Sequence, residues 1–174
     1  KLLKLIDNEI KAAKKGLPAS IIIKVNGLDE KEMIAKLYEA SKAGVEIQLI
    51  VRAGCSLIPG HEAFSKNIKA YRLVDRFLEH ARVYLFYNNG NEKLYLSSAD
   101  WMNRNLNRRI EVGFPVYDNT IKDEVKQVLQ LQLNDTVKLT SIGDFQSKVT
   151  TATENGIRAQ MEIYNKLKNN ITNN

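Results

Sequence analysis

The spacing of apolar residues alternates along the chain between the period of a helix and that of a strand. Leu2, Ile6, Ile10 and Ala13 recur at helical intervals and Gly16-Leu17-Pro18 ends the run. Residues 1–15 are therefore expected to form an amphipathic helix with a solvated, Lys-rich face. Ile21-Ile22-Ile23-Lys24-Val25 is short and β-branched, as suits a buried strand, and Asn26-Gly27 breaks it. Asp29 followed by Glu32 has the form of a capping box for a helix carrying Ile34, Leu37, Tyr38 and Ser41 on one face and closing at Gly44. Val45-Glu46-Ile47-Gln48-Leu49-Ile50-Val51 reads as a second strand. A strand, helix and strand in succession over residues 20–51 normally make a right-handed parallel crossover, which places the chain in the α/β class. Ligands of such sheets gather beyond the carboxyl ends of the strands, and Arg52 follows the second strand directly.

Residues 53–70 have weak periodicity around Gly54, Pro59, Gly60 and His61 and read as a long loop, a length that often carries function. Val83 to Tyr87 and Leu94 to Ser97 flank Asn88-Asn89-Gly90-Asn91-Glu92, the signature of a hairpin. Ile110 to Val116 reads as a further strand. Asp118 caps an expected helix with Ile121, Val125, Val128, Leu129 and Leu133 on one face. A polar connection over residues 142–153 then leads to a last helix over 154–168, with a frayed Asn-rich tail beyond Lys168. Residues 1–174 are expected to make one domain.

Composition adds charge and compartment to this picture. At 174 residues and 44% hydrophobic, the chain has the material for a buried core. It opens on Lys1 without an initiator Met or a secretory leader pattern, and is expected to be cut from something longer. No apolar run approaches the roughly 20 residues that a membrane-spanning helix needs. The single cysteine, Cys55, excludes an intrachain disulfide, reads as a small buried hydrophobe, and makes the cytoplasm the default compartment. Twenty-six Lys and Arg against 20 Asp and Glu give a net charge of +6, which favours anionic partners: nucleotides, polyphosphate, nucleic acid or acidic lipid.

Two histidines are candidates for chemistry. His61, in a Gly/Pro loop, reads as an exposed loop residue. His80 precedes a strand, follows Asp75 and Glu79, and stands two residues before Arg82, so that a proton-switching group adjoins a fixed cation. On these residues alone, a structural and a catalytic reading of His80 stand side by side. Ser97-Ser98-Ala99-Asp100-Trp101 leaves the end of a strand with hydroxyls and a carboxylate together. Ser98 and Asp100 suit either orienting His80 or Arg82, or capping and turn formation. Arg104, Arg108 and Arg109 read equally as a solvated charge run or as the lining of a polyphosphate channel, and a strand beginning near Arg109 would aim it at the site. Trp101 reads as a core or loop-anchoring residue.

His80-x-Arg82 followed by the Ser-Ser-Ala-Asp turn resembles the half-site of the phospholipase D superfamily, with Arg82 where Lys is usual and Asp100 where Asn is usual. The wider text is similar to the bacterial polyphosphate kinase family, in Leu49-Ile50-Val51-Arg52-Ala53-Gly54-Cys55-Ser56-Leu57-Ile58-Pro59, then Val74-Asp75-Arg76-Phe77-Leu78-Glu79-His80, then Tyr95 to Asn105. The resemblance runs from about Ile6 to Ile142 and resumes at Ile157-Arg158-Ala159-Gln160. It implies a C-terminal catalytic domain with a phospholipase D-like mixed β-sheet flanked by α-helices. It also implies reversible transfer of the ATP γ-phosphoryl group to polyphosphate through a phosphohistidine in a preceding domain of the same polypeptide. By the same resemblance Arg52 and His80 contact nucleotide phosphates; we assign His80 general-acid duty toward the departing ADP oxygen, and Arg82, Ser98, Asp100, Arg104 and Arg109 are candidates for polyphosphate contact or for supporting the site. Mg²⁺ accompanies ATP, with its ligands outside this chain, and no nucleic-acid partner is expected. Family members assemble into oligomers and associate with the inner face of the membrane. The isolated chain is expected to be inactive. The rival expectations are a phospholipase D-like phosphodiesterase or phosphatidyltransferase half-site, and a non-catalytic polyanion-binding module.

Overall fold

The structure, a computed structural model, describes residues 1–143 and 156–172. Helix α1 (Leu2–Lys14) turns Ile6, Glu9 and Ile10 inward, and Gly16 stops it in the left-handed region at φ 72°. Strand β1 (Ser20–Val25), helix α2 (Lys31–Lys42) and strand β2 (Glu46–Val51) form the expected parallel crossover, with Ser20 opposite Glu46 and Val25 opposite Val51. The cap of α2 departs from the expected Asp29/Glu32 box. Glu30 is the capping residue and its carboxylate accepts from Met33 N at 2.8 Å, whereas Asp29 accepts from Asn103 N at 2.9 Å. A longer-range contact has claimed the Asp29 carboxylate, and its neighbour caps instead.

Residues expected to end a loop belong to strand β3 (Ile68–Leu73), which pairs parallel to β2. Ile68 and Ala70 are buried on one face and Leu73 on the other, with Lys69 and Arg72 exposed, so period-2 alternation breaks down within the strand. The hairpin is present as β4 (Arg82–Phe86) and β5 (Lys93–Ser97), antiparallel, joined through a 3-10 turn at Asn88–Gly90. Asn88, Asn89 and Gly90 all have positive φ there, the reason an Asn/Gly-rich turn is needed. Helix α3 (Asn103–Arg108) was not anticipated, and strand β6 is confined to Gly113–Val116. Residues 110–112 fall outside it because pairing with β5 begins only at Ser97 opposite Gly113, and Ile110 is fully exposed. Asp118 caps helix α4 (Asn119–Leu133) through Ile121 N at 3.0 Å; Leu129 is buried, although Ile121 of the expected face is exposed. A short β7 (Leu139–Ser141) pairs antiparallel to β3. Helix α5 (Ala159–Thr172) starts later than residue 154 and continues past Lys168; residues 144–153 of the expected polar connection lie outside the described residues.

The strands make one mixed seven-stranded sheet in the order β6-β5-β4-β1-β2-β3-β7. Period-2 alternation divides its side chains between two layers. Ile21, Ile23, Val25, Ile47 and Leu49 pack with α1 and α2, while Ile50, Val83, Leu85 and Leu94 pack with Leu129 of α4 and Ala159 of α5. Because β4 runs against β1, the carboxyl ends of β1, β2 and β5 and the amino end of β4 meet at one edge of the molecule. There the residues singled out by sequence converge.

Candidate active site

Asn26, the first residue after β1, is the junction of this edge. Its backbone N–H donates to Asp100 Oδ1 at 2.6 Å, and its side-chain Oδ1 accepts from Arg52 Nε at 2.8 Å. Asp100 also accepts from Gly27 N at 3.3 Å, from Arg82 Nε at 3.2 Å and, through Oδ2, from Arg82 Nη2 at 2.9 Å. The Arg82 guanidinium is thus gripped side-on by a carboxylate that the backbone itself holds in place. Its Nη1 lies 3.1 Å from His80 Nδ1 and its Nη2 3.2 Å from His80 Nε2, and Nη1 also reaches the His80 carbonyl at 3.1 Å. The result is one chain of contacts, Arg52, Asn26, Asp100, Arg82, His80, leading from a half-buried cation to an exposed imidazole.

Asp100 is only 4% exposed, which makes its charge the expensive one at this edge. Burial pushes its carboxyl up, but the bond from Arg82, the Asn26 and Gly27 amides and the Arg82 charge outweigh it, leaving the group below the usual carboxylate range. Asp100 therefore stays ionised and orients Arg82, while its contact with the imidazole runs through that guanidinium.

Ser98 points elsewhere. Its hydroxyl donates to Glu111 Oε2 and accepts from Val112 N at 3.0 Å, tying the end of β5 to the segment before β6. Glu111 also accepts from Asn105 Nδ2 at 2.6 Å, and the hydrogen bonds from Ser98 and Asn105, followed by the charges of Arg109 and Arg82, hold its carboxyl down. Arg104 and Arg109 are exposed on and just beyond α3, and Arg109 is not aimed by a strand, because β6 starts four residues later. The ring of His61 stacks on Phe64 at 4.2 Å, and its Nδ1 accepts from Ala63 N at 3.2 Å, within the loop after β2. Trp101 is wholly buried against Tyr84, with ring centroids 5.5 Å apart. Cys55 is half-buried and burial pushes its thiol up, away from thiolate reactivity.

Sequence reasoning missed a second polar group beneath His80. Lys24, the last residue but one of β1 and 7% exposed, donates to Glu79 Oε2 and to Gln132 Oε1, the latter at 2.8 Å. Gln132 Nε2 also donates to Glu79 Oε2, and Gln160 Nε2 to Glu79 Oε1 at 2.9 Å. Burial pushes the Lys24 ammonium down and the adjacent Glu79 carboxylate opposes it, with the shift remaining downward. Gln160 further brackets Phe77, accepting from its N–H at 2.8 Å and donating to its carbonyl at 2.9 Å. Arg158 grips Asp75 with Nε at 2.9 Å and Nη2 at 2.7 Å. The signal available in the sequence was a lysine inside an otherwise apolar strand, which burial permits only with a partner.

The residues around Arg52 and His80 offer no carboxylate ready for a cation. Asp100, Glu79 and Glu111 are already engaged by the donors described, and among the described residues no group of three or more His, Cys, Asp or Glu side chains could hold a metal ion. This donor set does not fit a Mg²⁺ site. Among the described residues no helix is long and apolar enough to cross a membrane.

Known proteins resemble this chain in sequence and in fold. The family model for polyphosphate kinase C-terminal domain 2 matches residues 1–160. A polyphosphate kinase of Vibrio vulnificus is 47% identical over 170 residues, covering 97% of this chain and 24% of that protein. The crystal structure of polyphosphate kinase from Porphyromonas gingivalis superposes with a TM-score of 0.92 at 43% identity, covering 98% of this chain and 26% of that one. A phospholipase D family member, Nuc from Salmonella typhimurium, matches with a TM-score of 0.54 at 12% identity over 76% of this chain and 88% of its own, which shows a shared fold. The chain spans about a quarter of the length of the polyphosphate kinases it matches. With a phospholipase D-like sheet and this extent of identity, the chain belongs to the polyphosphate kinase family, where it matches C-terminal domain 2.

Proposed function

We propose that this domain supplies half of the active site of an ATP:polyphosphate phosphotransferase. The observation that carries the proposal is the continuous row from Arg52 through Asn26 and Asp100 to Arg82 and His80, gathered at one edge of the sheet. Phosphoryl transfer asks a protein mainly for positioned cations and a group that manages the leaving oxygen's proton. Arg52 would bind nucleotide phosphate: Asn26 holds its Nε at 2.8 Å, and the planar fork of guanidinium donors suits phosphate oxygens.

In the proposed reaction a histidine of a preceding domain attacks the γ-phosphorus of ATP. An N–P bond forms, the bond from the γ-phosphorus to the bridging oxygen breaks, and His80 gives a proton to the departing ADP oxygen. The terminal oxygen of polyphosphate then attacks the same phosphorus: a P–O bond to the polymer forms, the N–P bond breaks to restore the first histidine, and His80 takes a proton back from water to complete the cycle. Arg82 stays beside the imidazole and offers positive charge where phosphate oxygens pass. Arg104 and Arg109 extend the basic surface toward the polymer, and Ser98 supports the turn. Mg²⁺ would arrive with ATP and take no ligand from the residues described here. We place the enzyme in the cytoplasm, as a homo-oligomer that can sit at the inner face of the membrane.

The test uses the full-length enzyme. His80→Ala is expected to slow ATP-dependent polyphosphate synthesis by about 10²- to 10⁴-fold, the usual contribution of a positioned proton donor. Arg52→Ala is expected to weaken ATP binding by roughly tenfold, as loss of one charge-assisted phosphate contact should. Undiminished synthesis by His80→Ala, or efficient cleavage of phosphodiester substrates without any response to ATP, would refute the proposal.

A further inference from the structure

His80 is the last residue but one before β4, on a segment from residue 74 to 81 that belongs to no helix or strand. An exposed side chain on such a segment has a defined position only if something else fixes the backbone beneath it. Three residues of that segment are fixed, two by their side chains and one by its peptide. Asp75 is gripped by Arg158, the Phe77 peptide is bracketed by the Gln160 amide, and both Glu79 carboxylate oxygens are taken up by donors from β1, α4 and α5.

Among these anchors the Lys24–Glu79 pair is the least expected on stability grounds. Lys24 shares its side of β1 with Ile22 and faces the layer formed by α4 and α5, where an apolar residue would pack without desolvating a charge. Replacing a buried ion pair by apolar residues of similar volume is often neutral or stabilising, so the pair is poorly explained as a stabilising device. What an apolar pair would not do is define the direction of the chain at residue 79. Carboxylate hydrogen bonds from three separate elements do so, one residue before the imidazole.

We infer that Lys24 and Glu79, held by Gln132 and Gln160, are positioning residues that set His80 for proton transfer. The inference rests on the role proposed for His80 above. Neither residue touches the reacting atoms; each acts through the backbone of the His80 segment. A displacement on the order of 1 Å at a reacting group costs about 100-fold in rate, so the clamp should appear in kcat. Nucleotide binding through Arg52 depends on Asn26, outside the clamp, and should not change.

The test is the double variant Lys24→Met/Glu79→Leu in the full-length enzyme, with thermal midpoint, kcat and the KM for ATP measured together. The expected result is an unchanged or raised midpoint, a kcat lower by about 100-fold and an unchanged ATP KM. Lys24→Arg, which keeps the cation, should retain most of kcat. Full kcat in the double variant overturns the inference, as does a loss of activity that only follows a lower midpoint. Should the double variant not accumulate as folded enzyme, Lys24→Met/Glu79→Gln carries the same test, because it keeps the volume of both side chains and leaves neither charge unpaired. His80→Ala measured alongside separates two failures. Full activity there removes the reading of His80, whereas an inactive His80→Ala beside a fully active double variant removes the clamp alone.

Discussion

The Arg82–Asp100 and Lys24–Glu79 pairs lie at the same end of the sheet and flank the same histidine, but they are supported differently. Asp100 has its remaining contacts with backbone amides of Asn26 and Gly27, which extend a central strand. Glu79 has its remaining contacts with the side-chain amides of Gln132 and Gln160, on two helices. Backbone partners are set once the sheet forms; side-chain partners on helices also require those helices to dock. Arg82 should thus be preorganised by the sheet, and the His80 segment by the packing of α4 and α5 onto it.

The largest way to break this comparison is to strand one charge of the helix-dependent pair. Lys24→Met alone leaves Glu79 without its cation and is expected to cost about 3 to 5 kcal/mol in urea unfolding of the folded enzyme. Asp100→Ala leaves the Asn26 and Gly27 amides and the Arg82 guanidinium without their acceptor, for an expected loss of about 2 to 3 kcal/mol by the same measurement. Arg158→Ala should cost the least of the three, because the guanidinium of that pair is solvent-exposed. Its signature is regional: hydrogen exchange should quicken in residues 75–80 and stay unchanged at Asn26 and Gly27. Equal acceleration in both regions would erase the distinction between the two pairs.

Acidification gives the gentlest probe. The carboxyl of Asp100 lies below its ordinary value of 3.8, so as pH falls below that value the unfolded chain takes up the proton first. Stability contributed by Asp100 is then present above pH 3.8 and is lost as pH falls through the lower folded value. Thermal midpoints of the parent and Asp100→Asn should therefore differ at neutral pH and converge in acid. A gap independent of pH would show that the charge of Asp100 contributes nothing.

Which parts of the molecule were legible in sequence follows from the range of the interactions. The β1-α2-β2 crossover and the β4–β5 hairpin announce themselves through local periodicity and turn residues, and His80, Arg82 and Asp100 come together because that hairpin folds back on itself. Strand β3 buries Ile68 and Ala70 on one face and Leu73 on the other, which breaks its alternation, and β7 is three residues long, too short for periodicity to register. The extent of β6 was overestimated because Ile110 and Val112 look apolar in sequence, although both are exposed and ladder pairing with β5 begins only at Gly113. Asn26 was read as a strand breaker, which it is, yet nothing nearby in sequence shows that it joins Arg52 to Asp100. Gln132 and Gln160 were invisible for the same reason, since their importance exists only once α4 and α5 lie over Lys24. The misassigned cap of α2 has the same origin: Asp29 is drawn to Asn103, far along the chain.

The left-handed turn at Asn88–Gly90 has a practical consequence. Because β4 begins at the His80 edge and runs away from it, this turn lies at the opposite end of the strand, with Asn89 and Gly90 exposed. Asn88 is occupied, its N–H being bound by Glu9 of α1 at 2.5 Å, but the next two residues form an exposed loop tip of the kind that tolerates insertion. A fluorescent label or affinity handle introduced between Asn89 and Gly90 would give a point of immobilisation that leaves the phosphate-handling edge facing solution.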